Sequence, residues 1–271
     1  MIGRIVPLVV ALAAGVPLGA QSGQVILATT TSVRDAGLLD TLLPPFERRT
    51  GITVRVLAVG SGQAMELARR GEADIVILHD PANEERFVAD GFGVDRQPLM
   101  ENEFVLVGPA ADAAGVRGQD AVEAFHRIAS AGARFISRGD RSGTHARERR
   151  VWEAAGIEPV GEWYGESGQG MGATLVIADQ LRAYTLTDIG TWLANRAPLA
   201  LTVLVEGDAL LVNPYHVIRV NPDRFHRLNA EAAQALADYL LSGEARDIIA
   251  GFGVARFGRA LFRPATAIAR P

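Results

Sequence analysis

Short apolar runs alternate with segments of helical spacing along this chain, and that alternation limits its possible folds more than any other feature. Residues 25–28 form a strand-like run, and Leu38, Leu39, Leu42, Leu43 and Phe46 recur after it at helical spacing. Pro44 and Pro45 predict a kink or break in that helix. Thr53–Val59 is rich in β-branched residues and reads as a second strand, with residues 63–70 helical behind it. Ile75–Leu78 is a third strand and residues 84–90 a third helix. Such an order predicts a parallel sheet with helices on its faces. Ligands of such sheets bind beyond the carboxyl ends of the strands.

After the strand at residues 104–109 the alternation restarts. Residues 121–129 are helical, 134–136 a strand, and 146–155 a helix. A glycine-rich turn at 165–170 starts a helix at Met171, and Thr187 is expected to cap a helix over 188–196. Residues 201–205, 209–212 and 215–220 read as strands. Asn221-Pro222 places a capping residue before a proline and predicts a long helix to Leu241. Ser242 caps a last helix over 244–250. The expected organisation is two α/β units. Residues 23–104 with 214–271 form the first unit, onto which Phe257, Leu261 and Phe262 pack, and 105–213 form the second. Two strands near 103–108 and 210–216 would cross between them.

Composition enters through what it excludes. The net charge of −4 argues against nucleic acid or an anionic membrane as partner. No cysteine is present, so disulfides, thiolate metal sites and cysteine nucleophiles are excluded. All 27 basic residues are arginine, which rules out a P-loop and Schiff-base lysine chemistry. Residues 1–20 are laid out as a signal peptide. Arg4 precedes the apolar run 5–16, which Pro17 closes, and the small residues Gly19-Ala20 follow. Its removal takes the formal charge from −4 to −5, because Arg4 is its one charged residue. An exported chain is therefore expected.

Four groups of polar residues stand where strands hand over to helices. Thr29, Thr30, Thr31 and Ser32 give four consecutive hydroxyls after the first strand. They suit an anion, and equally suit a plain turn or helix cap. Ser61-Gly62 offers the same choice. Residues 137–145, Ser-Arg-Gly-Asp-Arg-Ser-Gly-Thr-His, combine an arginine with two hydroxyls at a helix start. The free N–H groups and positive dipole end found there favour negative charge. Arg138 suits bidentate anion recognition, and a surface ion pair is its plainer reading. Ser142 and Thr144 can each donate or cap, and Asp140 can cap the helix or orient an arginine. Thr174 stands one turn into the helix behind the turn at 165–170 and could reach the same place, or simply pack helix on sheet. Ser142 with His145 raises a serine hydrolase, but the Gly-x-Ser-x-Gly elbow is absent. The five histidines show no metal-ligand spacing.

Five motifs in one order carry a family resemblance: residues 27–32 (Leu-Ala-Thr-Thr-Thr-Ser), 59–64 (Val-Gly-Ser-Gly-Gln-Ala), 79–81 (His-Asp-Pro), 137–145, and 168–175 (Gly-Gln-Gly-Met-Gly-Ala-Thr-Leu). Together with Asn213-Pro214-Tyr215, the chain resembles the periplasmic tungstate-binding proteins of ABC transporters. The resemblance implies a type II periplasmic binding fold: two Rossmann-like lobes joined by two hinge strands, with an oxyanion held between them. It also implies a membrane permease and its ATPase as partners, a periplasmic location, a monomer, no cofactor and no catalytic residues. The oxyanion-binding candidates are Thr30, Thr31, Ser32, Ser61, Arg138, Ser142, Thr144 and Thr174. Tungstate and molybdate share shape and charge, so the resemblance alone chooses tungstate. A molybdate or sulfate receptor is the alternative within the class, and an exported hydrolase using Ser142 the alternative outside it.

Overall fold

The computed structural model describes residues 23–265. The expected signal segment, residues 1–20, lies outside them, as do residues 266–271. In chain order the elements begin with β1 (Gln24–Thr30), α1 (Thr31–Asp35), α2 (Leu38–Thr50), β2 (Thr53–Val59), α3 (Ser61–Arg69), β3 (Ile75–Leu78), α4 (Pro81–Ala89) and β4 (Gly93–Pro109). There follow α5 (Ala121–Ser130), β5 (Phe135–Ser137), α6 (Gly143–Ala154), β6 (Tyr164–Glu166), α7 (Met171–Gln180), β7 (Thr185–Asp188), α8 (Ile189–Asn195) and β8 (Leu201–Val205). The last are β9 (Val212–Val220), α9 (Ala230–Leu240), α10 (Gly243–Gly251), α11 (Val254–Phe257) and β10 (Arg263–Pro264).

The sheet runs in the order β2-β1-β3-β9-β4-β10. β1 pairs in parallel with β2 and β3, as the alternation predicts. β9 is antiparallel to both β3 and β4. β4 is the long strand. Residues 93–103 lie against β9, and beyond them residues 104–109 pair with β7 and β8. One strand thus leaves one group of strands and enters another. Register shifts in the β4–β9 pairing flank Pro98, a residue that cannot donate to a ladder.

The inner strands are buried on both faces, as a parallel sheet covered by helices requires. On β3, Ile75 and Ile77 join the core around Leu42, Phe46 and Trp192, while Val76 and Leu78 join the core around Phe87 and Ile218. A third cluster is built on Phe125, Phe135 and Trp152, whose ring centroids lie 4.4–5.5 Å apart. The C-terminal segment packs against the first core: Leu261 and Phe262 are buried there, and β10 pairs with β4. No helix among the described residues is long and apolar enough to cross a membrane.

Four local expectations are corrected. Helix α2 runs through Pro44 and Pro45 without the break that was one of the two expectations there. The carbonyls that lose their N–H partners belong to Asp40 and Thr41, both exposed, so water can satisfy them. Asn221 does not open a helix. Its side chain accepts from Asp223 N at 3.0 Å and donates to Gly91 O at 2.9 Å, closing a local turn, and the helix starts at Ala230 behind Asn229 as cap. Asp188, not Thr187, caps α8, accepting from Thr191 N at 2.9 Å, while Thr187 belongs to β7. Residues 209–211 form a short 3-10 turn capped by Asp208 where a strand was expected.

Candidate functional site

The loop between β5 and α6 is shaped by its own hydrogen bonds. Gly139 and Arg141 both take positive φ, +62° and +58°. A Cβ on Gly139 would stand 2.7 Å from Glu166, so glycine is required there twice over. The Asp140 carboxylate pairs with the Arg138 guanidinium and accepts from Ser142 N at 3.1 Å. Arg138 is thereby held in place. Its side chain is 11 % exposed, and its buried Nε–H has no hydrogen-bond partner among the described residues. A buried guanidinium donor left unpaired is costly, and an anion would relieve that cost.

Arg138 lines a cavity of about 270 Å³. Thr31, Ser32 and Asp35 of α1, with Ala36 just after it, form one wall. Gly170, Met171 and Gly172 at the start of α7, with Gly190, Thr191, Ala194 and Asn195 of α8, form the other. The N-caps of α3 and α7 are Gly60 and Gly170, neither of which has a side chain to bond the first-turn N–H groups. Those donors remain available, and they carry the positive end of the helix dipole.

The predicted residues fall into three sets. Thr31, Ser32 and Arg138 meet at the cavity, with the Thr30 hydroxyl 3.0 Å from that of Ser32. Ser61, Ser142 and Thr144 are buried and are not among the residues that line it. His79, which no spacing argument singled out, touches Ser61 and Gly143, the residue between Ser142 and Thr144. Ser61 Oγ lies 3.4 Å from His79 Nε2, and the same ring packs so closely on Gly143 that a Cβ there would stand 2.2 Å from Cε1. Thr174 is set apart from both. It is fully buried, and its hydroxyl bonds Ser167 Oγ at 2.8 Å and Gly170 O at 3.1 Å, bracing the turn ahead of α7.

Ser142 is the N-cap of α6, its oxygen accepting from His145 N at 3.3 Å. A capping serine accepts through oxygen and keeps its own O–H free to donate. The Thr144 hydroxyl makes no side-chain or backbone hydrogen bond among the described residues, although the residue is buried. His145 Nδ1 accepts from Arg141 N at 3.1 Å, and no hydrogen bond joins its ring to the Ser142 hydroxyl among the described residues. The Ser142 hydrolase alternative gains no support from this geometry.

Behind the loop, Glu148 of α6 is buried and accepts from Tyr164 Oη at 2.8 Å and Trp152 Nε1 at 3.2 Å. Burial outweighs these donors and raises its carboxyl to about 7. Burial also lowers the His79 ring below its ordinary value. Asn213 Nδ2 donates to Asn102 Oδ1 at 2.7 Å and to Tyr215 Oη at 3.0 Å. Its Oδ1 therefore accepts from His79 Nδ1–H at 2.8 Å, which leaves Nε2 of the neutral ring as an acceptor. The residues of α8 at the cavity were missed because β7 was missed. Asp188-Ile189-Gly190-Thr191 is another strand-to-helix handover of the kind that marked the other loops.

A model of the PBP superfamily domain matches residues 16–244. A tungstate-binding protein of Peptoclostridium acidaminophilum is 46 % identical over 245 residues, 89 % of this chain and 86 % of that protein. The crystal structure of a tungstate ABC transporter protein from Geobacter sulfurreducens aligns with TM-score 0.77 at 46 % identity, covering 83 % of this chain and 97 % of that one. A tungstate-binding protein from Desulfovibrio alaskensis aligns with TM-score 0.81 at 40 % identity, covering 90 % and 100 %. The fold, the cavity at the strand ends and these likenesses agree, and the chain belongs to the PBP superfamily, in the family of those tungstate-binding relatives.

Proposed function

We propose that this chain is the exported solute-binding component of an ABC transporter and captures tungstate in the cleft beside Arg138. The single observation that carries the reading is the buried, unpartnered Nε–H of Arg138, on a guanidinium already oriented by Asp140. A tetrahedral dianion entering a cleft loses its water and needs about as many protein donors in return. Thr31, Ser32, Ser61, Ser142 and Thr144 supply hydroxyls, and the first turns of α3, α6 and α7 supply N–H groups. Thr30 and Thr174 sit behind as supports.

The lobes in this reading are residues 23–104 with 214–271, and 105–213. They close about β4 and β9 as a hinge. The likeness to tungstate-binding relatives supports the ligand, and the likeness to a tungstate ABC transporter protein supports delivery to a membrane permease with its ATPase. The protein acts in the periplasm, as a monomer and without a cofactor or a catalytic step. Competition calorimetry of tungstate against molybdate and sulfate tests the proposal. Tungstate should displace both, and heat from none of the three would defeat it.

A further inference from the structure

His79, a motif residue of the sequence, has no role in the proposed donor set, yet it touches several of the parts that matter. Its Nε2 faces the Ser61 hydroxyl, its ring stacks on Tyr215 with centroids 4.8 Å apart, and its edge packs on Gly143 at the start of α6. Through Nδ1 it bonds Asn213, which faces Asn102 across the β4–β9 pair. As a neutral ring with its proton on Nδ1, it can only accept from Ser61. An oxyanion makes the opposite demand, because it needs the Ser61 proton for itself. Nε2 and the Ser61 oxygen would then face each other with no proton between them.

The charges nearby sharpen the conflict. Arg138 is already paired with Asp140, and the loop's other arginine, Arg141, is exposed to solvent. Asp35, on the cavity wall, adds a negative charge. Around His79 stand three carboxylates: Glu84 of α4, Asp188 before α8, and Asp80 on its own loop. Arg96 bonds Glu84, His216 Nδ1 lies 2.9 Å from the same carboxylate, and Arg150 of α6 lies 3.6 Å from Asp80. Burial and the positive end of α6 oppose a charged ring, while these carboxylates favour it. A dianion at Ser61 would add the missing weight.

We propose, resting on the oxyanion reading, that capture is coupled to proton uptake at His79: the ligand takes the Ser61 O–H, and Nε2 accepts a proton from solvent and donates it to Ser61 Oγ. The proton balance is closed, since solvent supplies it and His79 holds it until release. Bound, the site would hold two cations, His79 and Arg138, against the dianion and Asp140. Loss of that proton would also loosen the ligand, which gives release a chemical handle.

The test is calorimetry of the full exported chain with sodium tungstate near pH 8, in two buffers of different ionisation enthalpy. The wild type should take up close to one proton per tungstate, and affinity should climb by up to about tenfold per unit fall in pH above the free-ring value. His79→Gln should still bind, with uptake near zero, because the amide cannot titrate. Uptake that persists in His79→Gln would assign the proton elsewhere, His145 being the nearest rival in the loop, and would overturn the proposal. Binding without uptake in the wild type overturns it while leaving the ligand reading intact; no binding of any oxyanion overturns both. Should the variant not fold, ring-nitrogen NMR of the wild type decides. The His79 Nε2 resonance must move to the protonated position on saturation with tungstate, and an unmoved resonance ends the proposal.

Discussion

Arg138, in the loop between β5 and α6, and Glu148, in α6, lead to separable predictions. The Arg138 guanidinium is oriented by Asp140 and keeps a buried donor free, so Arg138→Ala should weaken tungstate binding by about 1.5–3 kcal/mol, the scale of a charged hydrogen bond. Unchanged affinity by calorimetry would remove it from the site. Glu148 concerns stability. Its carboxyl is raised to about 7, so the folded state holds the proton more tightly than the unfolded chain does. That contribution is complete below the unfolded value and is lost as the pH rises through about 7. Its size is on the order of 3 kcal/mol. Glu148→Gln keeps an oxygen for both Trp152 and Tyr164, so it should flatten the fall in melting temperature between about pH 5 and 8. An unchanged slope would show that the carboxylate is stabilised better than its burial implies.

Helix α6 owes its position to a missing side chain. Gly143 has ordinary backbone angles, so its requirement is steric: a Cβ would meet the His79 ring at 2.2 Å. The ring cannot retreat, since Tyr215 stacks on one face and Asn213 holds Nδ1. Gly143→Ala should therefore cost about 1–3 kcal/mol by overpacking. It should also displace the Ser142 cap and weaken anion binding, in a way that Gly62→Ala, with open space around it, does not. Denaturant midpoints of the two variants check the contrast. The local expectations failed where one element's hydrogen bonds lay outside it. Pro44 and Pro45 were tolerated because their orphaned carbonyls face water, and Asn221 turned away from helix because Gly91 and Asp223 took its side chain.

For the whole molecule, the proposed closure about β4 and β9 brings opposing surfaces together with little formal charge pairing. Asp80 and Arg150 are 3.6 Å apart, with Arg150 40 % exposed. A pair of that kind is worth about 0–1 kcal/mol, so Arg150→Ala should leave tungstate affinity within about tenfold of wild type. The ligand itself should dominate the closed state. Tungstate at about 100 times its Kd should add roughly 2.7 kcal/mol to the free energy of unfolding, read as a rise in melting temperature. Small-angle scattering should show the radius of gyration falling as it binds. A molecule equally compact with and without tungstate would refute hinge closure.

The strand–helix alternation, the parallel pairing of β1 with its neighbours and the polar character of the strand-to-helix loops were legible in the sequence. Each rests on local period and turn chemistry, which a window of a dozen residues contains. Arg138, Thr31 and Ser32 were legible as candidates for the same reason, and the cavity unites them. Only the tertiary structure decided that Ser142 caps while the Thr144 hydroxyl is unbonded, that Thr174 braces a turn, and that α8 lines the cavity. It alone set His79 between Ser61 and Gly143, with Asn213 fixing the ring from 134 residues away. Spacing along a chain encodes which face of an element is buried. Which donor meets which acceptor depends on how distant elements dock, and no local pattern contains that.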